Sequence, residues 1–526
     1  MFHTACRLPW DRLRQFPARP PGKECRVFPG WPENSGGSRC WKRPPAGTDP
    51  LCTAQILHFQ RKDDWPESRF LRRSGVQSTK KELPKAVCVS GAGVILMWTD
   101  NSVLYQIYTL GAFGCPFEND SVLEHRFKDI DLWINQLKDL NIDAVLFNPI
   151  FQSHSHGYDT IDYYTIDNRL GDNKDFKYVS SLLHKNGIRI ILDAVFNHVG
   201  RGFFAFEDVL KNRENSHYKD WFYINFYGNS AYDDHLSYQD WEGNQNLVKL
   251  NLQNPEVVEY IMNVVQFWKD EFEIDGLRLD VAYCLDQNFL KTLHSRHHDL
   301  FLMGETLHGD YNMWVNDQML DSCTNYECYK GLYSSLNSYN LFEIMHSLHR
   351  QFGKDNWCLY RGKHLVCFVD NHDVERIASK LTDLEKLPLI YGMLFSLPGI
   401  PCIYYGSEWG IKGQKNWNDT ELRPHITHFE NNELTKRIKR LIEIKHEHSA
   451  LHTANFEQIV LNNTYCIFKR NSEEETLYIA INISNEPVAF NLDLNGEYVD
   501  LIDENRLSID HVLEMPAYSL MILKAI

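Results

Sequence analysis

The stretch Gly276-Leu-Arg-Leu-Asp-Val-Ala282 sets two charged residues inside an otherwise apolar run. Arg278 and Asp280 stand two residues apart, so on a β-strand their side chains leave from one face. Burying two charges on one face costs free energy unless they pair or do chemistry. A buried ion pair and a catalytic carboxylate with its arginine are the two readings, and the surrounding sequence tips the balance. Residues 188–198 (IRIILDAVFNH), 300–306 (LFLMGET) and 365–373 (LVCFVDNHD) end in the same way. Each passes from an apolar run to a carboxylate or imidazole. Functional groups at the C-terminal ends of successive strands are the pattern of a (β/α)8 barrel active site.

Working outward, apolar strands alternate with amphipathic helices from Val103 onward. Strands are expected at 104–109, 144–151, 188–196, 274–281, 300–304, 323–326, 365–369 and 400–405, and helices at 129–140, 176–186 and 255–272. Alternation of this kind predicts a parallel sheet, and eight units predict its closure. A long irregular segment, 199–252, follows strand 3, and loops of that length in a compact domain usually serve function. Beyond residue 443, short alternating strands at 456–468, 476–483, 488–494 and 518–523 are separated by turn residues such as Asn462-Asn463 and Asn495-Gly496. The expectation is an α/β fold: a (β/α)8 TIM barrel over 97–442 with the insertion after strand 3, and a C-terminal antiparallel β-sandwich over 443–526.

Residues 1–96 differ in kind. They hold 17 Lys and Arg against 8 Asp and Glu, with 11 of the 20 prolines. A composition rich in Arg, Pro, Gly and Ser predicts a poorly ordered basic extension. The chain is also expected to begin natively at Met97, which would make the extension non-native.

The net charge of −16 argues against nucleic acid and against polyanionic substrates, and so for a neutral one. Thirteen cysteines without regular spacing or a CxxC pair read as reduced intracellular thiols. No secretory signal is apparent, and the most apolar window, 387–406, is broken by Pro388, Pro398 and Pro401. A soluble, cytoplasmic protein with no membrane partner is expected.

The barrel reading gathers Asp280, Glu305 and Asp373 at one mouth. Three convergent carboxylates need a metal or a shared proton task. A retaining glycosidase meets the second need: Asp280 attacks the anomeric carbon, oriented by Arg278. Glu305 protonates the leaving oxygen and then deprotonates water, its pKa raised by neighbouring negative charge. Asp373 would hold sugar hydroxyls, with His198 and His372 as hydrogen-bond donors beside it.

Asp193-Ala-Val-Phe-Asn-His198, Gly276-Leu-Arg-Leu-Asp280, Gly304-Glu305 and Val369-Asp-Asn-His-Asp373 together resemble the four signature regions of the α-amylase superfamily, in the family's order. The resemblance implies an α-retaining enzyme on α-linked glucose, with Asp280 as nucleophile, Glu305 as acid/base and Asp373 as transition-state stabiliser. His156-Gly-Tyr-Asp-Thr-Ile-Asp-Tyr163 and Leu247-Val-Lys-Leu-Asn251 are similar to the neopullulanase and cyclomaltodextrinase group. That likeness makes Tyr158 a stacking platform for the sugar, with Asp159 as its hydrogen-bonding neighbour. No cofactor and no metal is expected. The calcium-dependent members place a Lys-His after the nucleophile strand, where this chain has Val281-Ala-Tyr-Cys-Leu-Asp286, and Asn197 reads as structural. Hydrolysis of α-1,4 bonds in maltodextrins is the favoured function. Transglycosylation by a 4-α-glucanotransferase and a non-catalytic binding or scaffold role are the alternatives.

Overall fold

The computed structural model describes residues 86–89, 95–416 and 418–526. Most of the basic extension therefore lies outside the described residues. Its last part carries a pairing the sequence did not announce: Ala86–Val89 runs antiparallel to Ile95–Met97.

Eight parallel strands follow: β1 (Leu104–Ile107), β2 (Ala144–Phe147), β3 (Arg189–Ala194), β4 (Gly276–Leu279), β5 (Phe301–Gly304), β6 (Ser322–Cys323), β7 (Val366–Phe368) and β8 (Ile400–Tyr404). Their order in the sheet is β6-β5-β4-β3-β2-β1-β8-β7. A parallel bridge from Thr324 to Val366 joins the two ends, so the sheet closes as a TIM barrel. Alternate residues fill the interior: Leu104, Leu146, Ile191, Phe301, Met303, Val366, Phe368 and Ile400 form one buried cluster with Trp98. Trp98 packs edge-on to Phe301, their ring centroids 5.7 Å apart.

The outer helices bury one face against this barrel. α1 (Ile130–Asp139), α2 (Asn173–Lys185) and α3 (Pro255–Phe272) come from the first half of the chain. α3 has the bounds its sequence predicts because both ends are marked. The Asn254 side chain accepts from Glu256 N, Pro255 supplies a fixed first-turn φ, and Glu273 ends the helix at φ +53°. α4 (Gln287–Arg296), α5 (Tyr326–Ser338), α6 (Phe342–Phe352), α7 (Leu387–Ser396) and α8 (Glu433–Glu447) complete the shell.

Several boundaries move. The strand expected at 144–151 stops at Phe147, since Pro149 cannot donate to a ladder, and Phe151–Ser153 pairs instead with Thr160–Ile166. The insertion begins at His198, whose strand His198–Gly200 pairs with Asn244–Lys249. Residue 443 lies inside α8, so the C-terminal unit starts later than expected.

That unit is one six-stranded antiparallel sheet: β9 (Glu457–Leu461), β10 (Tyr465–Asn471), β11 (Thr476–Asn482), β12 (Val488–Asp500), β13 (Arg506–Met515) and β14 (Ser519–Ala525), in the order β9-β10-β11-β14-β12-β13. Residues 456–468 are thus two strands and not one. Flat, β10 and β12 would lie roughly 14 Å apart, three strand spacings. Yet the rings of Tyr465 and Phe490 stack with centroids 4.8 Å apart. The sheet therefore curls over itself, and its two inner faces make the sandwich. The opposite face, with Cys466, Phe468, Leu477, Ile479 and Ile481, joins the barrel's main core.

Candidate active site

Parallel register does the first assembly. Arg278 on β4 stands beside Asp193 on β3 and Met303 on β5. Its guanidinium then reaches three carboxylates at once: Nη1 donates to Asp193 at 2.8 and 2.9 Å and to Asp280 at 2.8 Å, and Nη2 lies 3.0 Å from Glu305. Past the strand, Val281 takes φ +42° and ψ +46°, a conformation β-branched residues rarely adopt. That turn aims Val281 N at Glu305 Oε2, 3.1 Å away. Tyr326 Oη donates to the other oxygen, Oε1, at 3.4 Å.

One positive charge faces three buried carboxylates, so full ionisation would leave a surplus of negative charge in low dielectric. Burial raises the Asp280 carboxyl well above the usual range; Arg278 opposes the shift, and Glu305 and Asp193 add to it. Glu305, expected to be the acid, accepts from Arg278, Val281 N and Tyr326.

A second network holds the opposite wall. Tyr158 Oη donates to Asp193 Oδ2 at 2.9 Å and meets His372 Nε2 at 2.5 Å. Gln106 Nε2 lies 2.9 Å from His372 Nδ1, and His372 Nε2 lies 2.9 Å from Asp373 Oδ2. Asn148 ties Tyr158 to Asp193 through its amide. Asp373 itself stays open to the pocket, its side chain 36% exposed. Burial would raise its pKa, but His372 and then Arg423 hold it well below the usual range.

The sequence-predicted residues do not all converge. Asp280, Glu305, Asp373, Arg278, Tyr158 and His372 form one connected site. Asp159 is buried and bonds Ser155, through Oγ at 2.7 Å and N at 3.2 Å; it shapes the loop and makes no recorded bond to Tyr158. His198 is buried and neutral, its pKa pushed down to about 3 by burial, and its Nε2 has no hydrogen-bond partner among the described residues. It packs under Trp241, ring centroids 6.0 Å apart, and a row continues from Trp241 to Tyr283 (6.4 Å) and His308 (5.4 Å).

Other residues were missed. Asp193 lay inside a quoted motif, and its strand register with Arg278 was the available signal. Arg423 had none. It comes from the irregular loop after β8, stacks on Tyr108 at 4.4 Å and reaches Asp373 Oδ1 at 3.2 Å. Asp419, 3.6 Å from the same guanidinium, keeps a buried oxygen without a partner among the described residues. At Asn197 the amide nitrogen turns to His198 Nδ1, and Oδ1 stands without a partner among the described residues.

Functional groups at the C-terminal ends of barrel strands, with two carboxylates bridged by one arginine, fit a glycosidase-type site. Comparison with known proteins gives the same answer. Residues 130–465 match the α-amylase catalytic domain, and 467–525 match a β-galactosidase C-terminal domain. The chain belongs to the α-amylase family of glycoside hydrolases. It is 31% identical to an intracellular maltogenic amylase of Bacillus subtilis over 74% of this chain and 68% of that one. It is also 31% identical to neopullulanase 2 of Thermoactinomyces vulgaris, over 68% of this chain and 65% of that one. A solved cyclomaltodextrinase superposes with a TM-score of 0.71 at 26% identity, covering 81% of this chain and 78% of that one. The chain spans 65% to 68% of the length of the first curated relatives it matches. Among the described residues, no helix is long and apolar enough to cross a membrane.

Proposed function

We propose that this glycosidase hydrolyses α-1,4-glucosidic bonds in maltodextrins and malto-oligosaccharides, in the cytoplasm, by two displacements with net retention. The observation that carries the reading is the single Arg278 guanidinium shared by Asp280 and Glu305, with Asp373 across the pocket. The names of the relatives support the substrate class and the compartment.

Arg278 keeps Asp280 ionised, and the glycosidic oxygen takes its proton from Glu305. Asp280 forms a C–O bond to the anomeric carbon as the bond to the leaving oxygen breaks. Water then gives a proton to Glu305 and attacks the same carbon, releasing Asp280. Tyr158 is the platform for the donor sugar. Asp373, His372 and Arg423 take its hydroxyls. Trp241, Tyr283 and His308 line the leaving-group side.

Proton NMR of the first products from maltoheptaose tests the mechanism. Newly formed α-anomers are expected; initial β-anomers would overturn double displacement. The same time course reads the fate of the glycosyl group, because products longer than the substrate would assign a transferase.

A further inference from the structure

The largest cluster of unused ligating side chains lies away from the mouth, where α6 runs into the segment before β7. His349, Asp355 and Cys358 each bring one ligand atom to within 4.8 Å of the others. His349 Nε2 lies 3.0 Å from Asp355 Oδ2, and Cys358 Sγ lies 3.0 Å from the His349 carbonyl. The backbone is shaped to allow this approach. Gly353 ends the helix, and a Cβ there would sit 3.0 Å from Cys358 Sγ and 3.2 Å from His349 Nδ1, filling the space between thiol and ring. Neighbouring cations are committed elsewhere: Arg350 to Glu327, and Lys354 to Glu457.

We propose that His349, Asp355 and Cys358 form a zinc site. An imidazole, a carboxylate and a thiolate are the donor types of this metal, and water or another small ligand completes a tetrahedron. Tetrahedral ligands stand roughly 3–4 Å apart, so closure asks for a shift of about 1 Å. The side chains of His349 and Asp355, 36% and 52% exposed, have the freedom to make it, whereas Cys358 is buried and fixes the pocket floor. Binding releases the thiol proton and leaves a neutral site, two positive charges against thiolate and carboxylate. The metal would replace the His349–Asp355 hydrogen bond and fasten the end of α6 to its following loop. That loop also carries Tyr360, whose hydroxyl accepts from Tyr311 N in the segment after β5.

The test uses the full, reduced, metal-free chain titrated with Co2+, which reports thiolate ligation as a sulfur-to-cobalt charge-transfer band. One equivalent is expected to bind with that band, to be displaced by Zn2+, and to raise the thermal midpoint. Cys358→Ser should lose the band and bind cobalt more than about 100-fold more weakly, with maltodextrin hydrolysis unchanged, since Cys358 is no part of the mouth. Asp355→Asn, a variant that leaves the buried thiol in place, should weaken binding more than about tenfold. Absence of the band, its persistence in Cys358→Ser, or unaltered affinity in Asp355→Asn would each overturn the site.

Discussion

Arg278 and Arg376 are both almost wholly buried beside carboxylates, yet their surroundings are built differently. Arg278 serves Asp193, Asp280 and Glu305 with one charge, at the edge of an open pocket. Arg376 donates to the carbonyls of Tyr405 and Leu422 and to Ser407 Oγ, while its ring neighbours Tyr404 and Tyr405 pack against it. Near it, Asp370 accepts from Ile377 N and Ser407, and Glu408 from Tyr105 and Gln136. Burial raises the carboxyl groups of Asp280, Asp370 and Glu408 alike, Glu408 to about 7. A perturbed carboxyl therefore does not by itself mark chemistry. What separates the two regions is access: Asp373 at the mouth is 36% exposed, whereas behind β8 Asp370 and Glu408 are sealed in the core, each with one oxygen on neutral donors and one without a partner among the described residues.

The sharpest break of this comparison would come from Asp280→Asn. Turnover of maltoheptaose should fall more than about 10⁴-fold with the fold retained by circular dichroism, because the side chain proposed as the nucleophile is gone. Glu305→Gln should cost roughly 10²–10⁴-fold on glucans. A substrate whose leaving group needs no proton, such as an α-glucosyl fluoride, should lose far less; equal losses on both would contradict the acid role. Trp241→Ala removes one ring from the row between His198 and Tyr283. Its kcat/KM on maltodextrins should drop up to about tenfold, the worth of one ring contact, with a smaller change on an aryl maltoside.

Glu408→Gln should change kcat/KM by less than about twofold and reveal itself in stability. The folded carboxyl titrates at about 7 against 4.5 when unfolded, so the native state binds the extra proton between those values. Its contribution is best at low pH and falls as pH rises through that window, by about 3 kcal/mol in total. Denaturant unfolding at pH 5 and pH 8 should show the parent losing that much more than the variant. A parallel pH dependence of the two proteins would place the titration elsewhere.

The (β/α)8 alternation, the bounds of α3 and the motifs around Asp280, Glu305 and Asp373 were legible because each is written in local spacing. The curl of the C-terminal sheet was not. Asn495-Gly496 reads as a turn, but both residues lie within β12, which absorbs a register shift between Asn491 and Asn495, and β13 went unseen. Asp159 misled in another way: next to Tyr158 in sequence, it faces Ser155.

Residue type and period along the chain determined which side chains share a face, which runs are strands, and that charge would be buried in them. Only the closed barrel decided which charges meet. Asp193 and Arg278 are 85 residues apart and touch because strands β3 and β4 are neighbours in register. Arg423 reaches Asp373 from a loop with no periodic signal at all. Local dihedral preferences act over a few residues, whereas a pocket's proton balance depends on every charge that closure brings within a few ångströms.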